Sequence, residues 1–336
     1  MPANLTPNYL AAEARFRAAK TTEEKLVALD EMYATIPKHK GTEKLRADIK
    51  RRISKLREKD KESSNKGKHA DEFHVEKEGA GQIVLLGLPN SGRSTLLSRL
   101  TSALPEIADY PYTTRTPTPG MMEFEDVSIQ LVDTPPLFGQ HTEGGVISLA
   151  RNSDAAAVVL DASDHELLDE IEEIRQETAK SRTVLAGARS QETDPGGAHR
   201  QPQDVVNKPS LLIGNKIDLP GAGENLAVLQ ECYASEFDIH GVSALTGEGL
   251  EGLRSAMFEV LGIIRVYTKI PGKPPDRVRP FTIMKGSTLM DFAAVVHKDF
   301  TRQLRFARAW GKHHLDGAQI GRDHVLEDGD VVELHE

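Results

Sequence analysis

One stretch restricts this chain more than any other: Gly87-Leu88-Pro89-Asn90-Ser91-Gly92-Arg93-Ser94-Thr95. It follows a short apolar run, 83–86, and opens an amphipathic pattern over 94–104. Glycines let successive backbone N–H groups turn inward, and a helix N-terminus adds the positive end of its dipole. A glycine turn between strand and helix is therefore a cradle for phosphate. The spacing matches G-x-x-x-x-G-K-[ST] except that Arg93 stands in place of lysine. Arginine keeps the charge but carries it on a longer, planar fork, whereas lysine is a compact point charge. A chain that must build strand, turn and helix in this order points to a doubly wound α/β sheet.

The flanking sequence extends that pattern. Apolar runs at 83–86, 128–132, 156–160, 210–213 and 239–242 predict buried strands, and 94–104, 165–179, 224–236 and 250–261 predict helices between them. The predicted domain spans 80–264. The segment 187–208 is polar and rich in Gly, Pro and Gln, which predicts a flexible surface insertion. Residues 265–336 then read as strand, proline-rich turn, strand, helix and further strands, the order of a β-grasp module. Ahead of the sheet, apolar positions between 8 and 60 recur every three or four residues, with breaks at Ile36-Pro37 and Gly41-Thr42. Residues 1–68 thus predict a helical hairpin and a polar linker.

Charge divides the chain unevenly. The whole carries 42 Lys and Arg against 51 Asp and Glu, a net of -9, yet the segment 38–68 holds 13 basic residues against 5 acidic ones. That local excess is either a solvated helix face or a contact for the phosphate backbone of RNA. At 336 residues there is room for two or three domains. The single Cys232 cannot form an internal disulfide, no apolar run is long enough to span a bilayer, and the first residues lack a signal-peptide core. The expectation is a soluble cytoplasmic protein with no membrane partner and no sequence-specific DNA recognition.

Asn215-Lys216-Ile217-Asp218 directly follows the predicted strand at 210–213. An aspartate carboxylate can accept from both the N1–H and the N2 amine of guanine, and adenine offers no equivalent pair. The segment therefore selects GTP over ATP and speaks against an ATPase or kinase. Ser243-Ala244-Leu245 follows another strand and offers a backbone N–H to the base oxygen. Between these lie Thr113-Thr114, in a proline-rich loop over 108–120, and Asp133-Thr134-Pro135-Pro136 after a strand. Thr114 and Ser94 can give hydroxyls to Mg2+, with Asp133 holding the ion through water. The position of Pro136 is normally glycine, whose N–H bonds a γ-phosphate. Proline has no N–H, so about 10- to 100-fold of triphosphate preference is at stake. Leu137 follows where a water-orienting glutamine would stand, and Gln140 and His141 are out of register.

These segments, GLPNSGRSTLLSRL, ADYPYTTRTPTPG, LVDTPP, NKID and VSALTGEGL in that order, resemble the Obg and developmentally regulated (DRG) branch of GTPases. VYTKIPGKPPDRVRPFTI, FARAWGK and GRDHVLEDGDVVEL resemble the TGS domain joined to DRG proteins. The resemblance implies a P-loop GTPase domain between a helical hairpin and a TGS-like β-grasp domain. It implies GTP and GDP binding, slow Mg2+-dependent hydrolysis, and association with ribosomes or RNA. Gly87, Asn90, Ser91, Gly92, Arg93, Ser94 and Thr95 would hold phosphates together with Thr113 and Thr114. Ser94, Thr114 and Asp133 would hold Mg2+, and Asn215, Lys216, Asp218, Ser243, Ala244 and Leu245 would surround the base. The catalytic set would be Arg93, Thr114 and Asp133. A hydrophobic residue at Leu137 is usual in that family, whereas Arg93 and Pro136 depart from it. Those departures leave open a second function, a guanine-nucleotide-binding scaffold for RNA or ribosomes that no longer cycles.

In the C-terminal unit, Lys269, Lys273, Arg277 and Arg279 flank the proline-rich turn, and Arg302, Arg305, Arg308 and Lys312 cluster further on. These can meet RNA phosphates. Phe306 and Trp310 are expected in the core, the run Leu326-Glu327-Asp328-Gly329-Asp330 as a hairpin, and His297, His313, His314 and His324 as solvated or capping residues rather than metal ligands.

Overall fold

A computed structural model of the chain describes residues 7–18, 22–36, 49–53, 55, 73–102, 116–137, 143–187, 204–298, 300–312 and 314–335. It divides into two compact units, Met1–Glu72 and Phe73–Glu336. In the first, α1 (Pro7–Ala18) and α2 (Thr22–Thr35) are followed by a helical piece at 49–53. Leu29 and Met32 on one face of α2, with Ile36 just after it, bury against Ala12, Ile49 and Ile53. The pattern predicted one run as far as Ile36; α1 and α2 are two described helices, and 19–21 between them lie outside the described residues. Around the buried Ile49 and Ile53, the side chains of Lys50, Arg51, Arg52 and Lys55 are exposed. The rest of the basic segment lies outside the described residues.

The second unit opens on a seven-stranded sheet. Its elements are β1 (Gln82–Leu86), α3 (Arg93–Leu100), β2 (Thr118–Phe124), β3 (Val127–Asp133), α4 (Glu143–Asn152) and β4 (Ala155–Asp161). There follow α5 (Leu167–Lys180), β5 (Thr183–Ala186), β6 (Val206–Asn215), α6 (Ala222–Tyr233), β7 (Ile239–Gly241) and α7 (Leu250–Val260). The order is β2-β3-β1-β4-β6-β5, with β7 also on β6, and every pairing is parallel except β2 with β3. Alternation along β1 makes the two layers. Ile83 and Leu85 pack with Leu96, Leu97, Leu253 and Met257, while Val84 and Leu86 face the opposite side with Ile147, Ile171 and Leu212.

Three elements of this sheet escaped the periodicity. β2 carries Pro119 and Gly120, which argue against a strand anywhere but on an edge, and an edge is where it lies. β5 is only four residues long, and α4 begins with two glycines. The predicted insertion also ends sooner than 208. β6 starts at Val206, pairs with Thr183 there, and buries Lys208, while 188–203 lie outside the described residues.

β8 (Ile263–Thr268), β9 (Asp276–Met284), α8 (Leu289–Val296), α9 (Phe300–Gln303), β10 (Phe306–Gly311), β11 (His314–Ile320) and β12 (Asp330–His335) complete the unit. Their sheet runs β11-β10-β12-β8-β9, with β12 parallel to β8. α8 covers one face through Leu289, Phe292 and Ala293, and Phe292 meets Phe281 edge-on at 5.9 Å. The single helix predicted there is two, because His297 turns extended after α8. Phe306 and Trp310 are not in this core. Ala307 and Ala309 face the helix, so the intervening large residues fall on the other side of β10, where Phe306 stacks on His335 at 4.2 Å. Nor is the acidic turn a hairpin. β11 and β12 each pair with β10, and the turn carries the chain into β12 beside β8.

Candidate functional site

The order of the sheet decides where a site can be. From β1 the chain reaches β3 on one side and β4 on the other, and a crevice opens where the order reverses, outside the carboxyl ends of the strands. Parallel pairing turns the carboxyl ends of five strands to one edge of the sheet, with β4 and β6 reaching beyond β1 and β3. Leu85 pairs with Asp133, Asp161 with Asn215, and Gly214 with Gly241. The loops that leave this edge are those singled out by the motifs.

The first runs from Gly87 into α3. Asn90 is left-handed at φ 67° and Gly92 at φ 89°. A Cβ on Gly92 would stand 2.3 Å from Asn215 Nδ2, and one on Gly87 would stand 2.5 Å from the Val159 carbonyl. Both positions therefore require glycine. Ser91 is buried, and its Oγ has no hydrogen-bond partner among the described residues. Ser94 Oγ donates to Asp133 Oδ2 at 2.5 Å, and Asp133 is fully buried. Thr95 leads the first turn of α3 just behind.

Arg93 does not project freely. Its side chain is 7% exposed, and Nη1 donates to the Thr134 carbonyl at 2.9 Å and the Pro135 carbonyl at 3.3 Å. Burial pushes the guanidinium below its usual value, and the Asp133 carboxylate partly offsets this. Thr134 is fixed from behind, since its Oγ1 donates to the Leu85 carbonyl at 2.7 Å.

Asn215 is a brace between loops. Its Nδ2 donates to the Ser91 carbonyl at 2.9 Å, and its Oδ1 accepts from Ala244 N at 3.0 Å. Lys216, left-handed at φ 67°, places Nζ 2.5 Å from Asp161 Oδ2. Burial alone would raise the Asp161 carboxyl, but bonds from Lys216 and Ser163 hold it below its ordinary value. Asp218 is exposed at the mouth of the crevice. Ser243 is buried and accepts from Thr246 N, and Leu245 is 74% exposed.

The structure thus gathers the 87–95, 133–136, 215–218 and 243–245 segments at one edge. Thr113, Thr114, Gln140, His141 and His313 lie outside the described residues. Two contributors escaped the sequence reading. Arg99, on the last turn of α3, holds the Ala244 and Leu245 carbonyls at 2.9 and 2.7 Å. Asp161, the acid that ends an otherwise apolar strand, anchors Lys216. That acid was visible as the only charge in β4, whereas nothing in the sequence marked Arg99.

The donors suit a nucleotide and its ion. The Gly87 and Gly92 cradle has space only for backbone, the buried Ser91 hydroxyl is without a partner among the described residues, and the Ser94 hydroxyl with the Asp133 carboxylate offers the hard oxygens that Mg2+ prefers.

Comparison with known proteins places the chain among families. A family model described as 50S ribosome-binding GTPase matches residues 82–188, and the TGS domain matches 264–336. A GTP-binding protein of Methanocaldococcus jannaschii is 30% identical, over 93% of this chain and 92% of that protein. The chain belongs to the DRG family of GTP-binding proteins. Developmentally-regulated G-protein 1 of Arabidopsis thaliana, another DRG protein, is 28% identical over 93% of this chain and 90% of that one. Among solved structures, a variant of Era from Aquifex aeolicus aligns over 54% of this chain and 56% of that one, at 20% identity and a TM-score of 0.41.

Proposed function

We propose that this DRG protein binds GTP and GDP, hydrolyses GTP slowly in the presence of Mg2+, and acts on ribosomes or RNA in the cytoplasm. The observation that carries the nucleotide reading is Asn215, which joins the phosphate loop at Ser91 to the base loop at Ala244. One side chain thereby sets the distance between the places where phosphate and base would bind. Backbone N–H groups of 87–95 would take the phosphates, and Asp218 would accept from guanine, with Lys216 positioned by Asp161. Ser94 and Asp133, with Thr114, would hold Mg2+, which when bound neutralises charge that develops on the phosphate oxygens. Leu137 is fully buried, so catalysis here rests on positioning and electrostatics rather than on a side chain that orients water.

The ribosome or RNA part draws on the basic segment 38–68, with Lys50, Arg51, Arg52 and Lys55 exposed, and on the side of the TGS sheet away from α8, where Lys269 pairs with Glu333 and lies 4.6 Å from the Trp310 ring. Titration calorimetry with GDP, a non-hydrolysable GTP analogue and ATP, beside a phosphate-release assay, tests the nucleotide reading. Guanine nucleotides should bind and ATP should not, while Asp218→Ala and Asn215→Ala should each weaken binding at least tenfold. Equal binding of ATP would sink it. Pro136 favours a second reading, a guanine-nucleotide-binding scaffold without turnover, which release no faster than that of Asp218→Ala would establish.

A further inference from the structure

Among the side chains that join the phosphate loop to the end of β3 and the segment after it, Arg93 departs from the usual motif. Arg93 begins α3, and its stem passes beneath the glycine turn, where a Cβ on Gly87 would lie 3.3 Å from Arg93 Cδ. The guanidinium then bonds two successive carbonyls, of Thr134 and Pro135, and reaches Thr134 Oγ1 at 3.4 Å. A planar fork on a long stem suits two adjacent carbonyls, whereas a lysine ammonium in this position is a shorter point charge. The next residue, Pro136, has no backbone N–H to offer a γ-phosphate.

These two departures complement each other. Where a segment is ordered by a γ-phosphate, an N–H of that segment must find the phosphate, and the segment is released when the phosphate leaves. Here the N–H is missing, and a charge of the protein's own holds the same segment by its carbonyl oxygens. Thr134 is gripped on both sides, by Arg93 at its carbonyl and by its hydroxyl on Leu85.

We propose that Arg93 is a positioning residue that ties the 133–136 segment to the phosphate loop whichever guanine nucleotide is bound, so that diphosphate and triphosphate bind almost equally. This rests on the guanine-nucleotide site described above. Any response to the γ-phosphate then has to come from residues other than 133–136.

The test measures dissociation constants for GDP and a non-hydrolysable GTP analogue, with Mg2+, in wild type, Arg93→Lys, Pro136→Gly and the double variant. The wild-type ratio should stay within about threefold. The double variant, with its N–H restored and its tether removed, should favour the analogue by about 10- to 100-fold, the worth of one hydrogen bond to a charged group. A wild-type preference above tenfold, or a double variant whose affinities fall together with the ratio unchanged, overturns the proposal. The ratio is insensitive to a merely structural loss of phosphate grip. Hydrogen exchange over 131–137 gives the second readout, without nucleotide: Arg93→Lys should exchange at least tenfold faster there than wild type. Equal exchange overturns the tether by itself, whereas failure of every guanine nucleotide to bind would instead bring down the functional reading.

Discussion

At the scale of single residues, the crevice is held by polar groups that have been taken out of water, and each has to be answered by a partner or by a change of charge. Asn215 and Asp161 are answered by hydrogen bonds. Glu170 on α5 is answered differently. Its Oε2 has no hydrogen-bond partner among the described residues, and burial, then the neighbouring Asp164 and Asp161 carboxylates, push its carboxyl up to about 7 against partial relief from a backbone hydrogen bond of Asp161 and from Lys216. A folded-state value above the unfolded one means that the native protein keeps this proton longer than the unfolded chain does. Stability from Glu170 is therefore present below about pH 4.5 and is lost as pH rises from there to about 7. Allowing for the group's partial exposure, the loss is about 1 kcal/mol. Urea unfolding at pH 5 and pH 7.5 should show Glu170→Gln less sensitive to pH than wild type by that amount, and parallel behaviour of the two proteins would refute the assignment.

Elements were legible in the sequence where they repeat and obscure where they are short or bear turn residues. The buried parallel strands, the loop at 87–95 and the segment at 215–218 could be placed because each couples an apolar run to a fixed polar spacing. β2 could not, since Pro119 and Gly120 read as a turn until an edge position is known, and β5 is too short for a period. Side-chain direction was the other failure. Phe306 and Trp310 look like core residues by type, yet Ala307 and Ala309 take the inward positions of β10. The role of Arg93 was hidden for a third reason, because a sequence shows a charge but not the carbonyls it will find. Where a local signal and tertiary packing agree, the element should be separately sensitive. α8 begins with a capping box, in which Thr288 N donates to Asp291 Oδ2 at 2.8 Å and Thr288 Oγ1 accepts from Asp291 N at 3.4 Å. Thr288→Ala should cost about 1 kcal/mol, read as faster hydrogen exchange in α8 with the 82–100 region unchanged. Uniform acceleration across both would show that the cap does not act locally.

On the scale of the whole second unit, the nucleotide edge and the TGS sheet are connected through β3. That strand ends at Asp133, and at its other end the turn from β2 presents Glu125 and Asp126 to Arg265 of β8. Arg265 also grips Asp328 before β12 and lies 5.1 Å from the Phe258 ring of α7, while the Tyr267 hydroxyl donates to Asp126. Bonds from Asp328, Glu125 and Asp126 raise its already high pKa against the effect of burial, so it is charged at any pH the fold survives. One guanidinium, 12% exposed, thus ties a G-domain hairpin to two parts of the C-terminal sheet. Removing it strands Asp126 and Asp328 with a cation taken away, which in a fully buried site costs 3–5 kcal/mol. Glu125 and Asp328 reach solvent, so Arg265→Ala should lose about 2 to 3 kcal/mol. The loss falls at the junction rather than in either core, so scanning calorimetry should resolve a transition for the TGS sheet ahead of that for the G domain, where wild type melts in one. A single transition at an unchanged midpoint would mean that the packing of Phe258 and its neighbours, and not this ion network, holds the two sheets together.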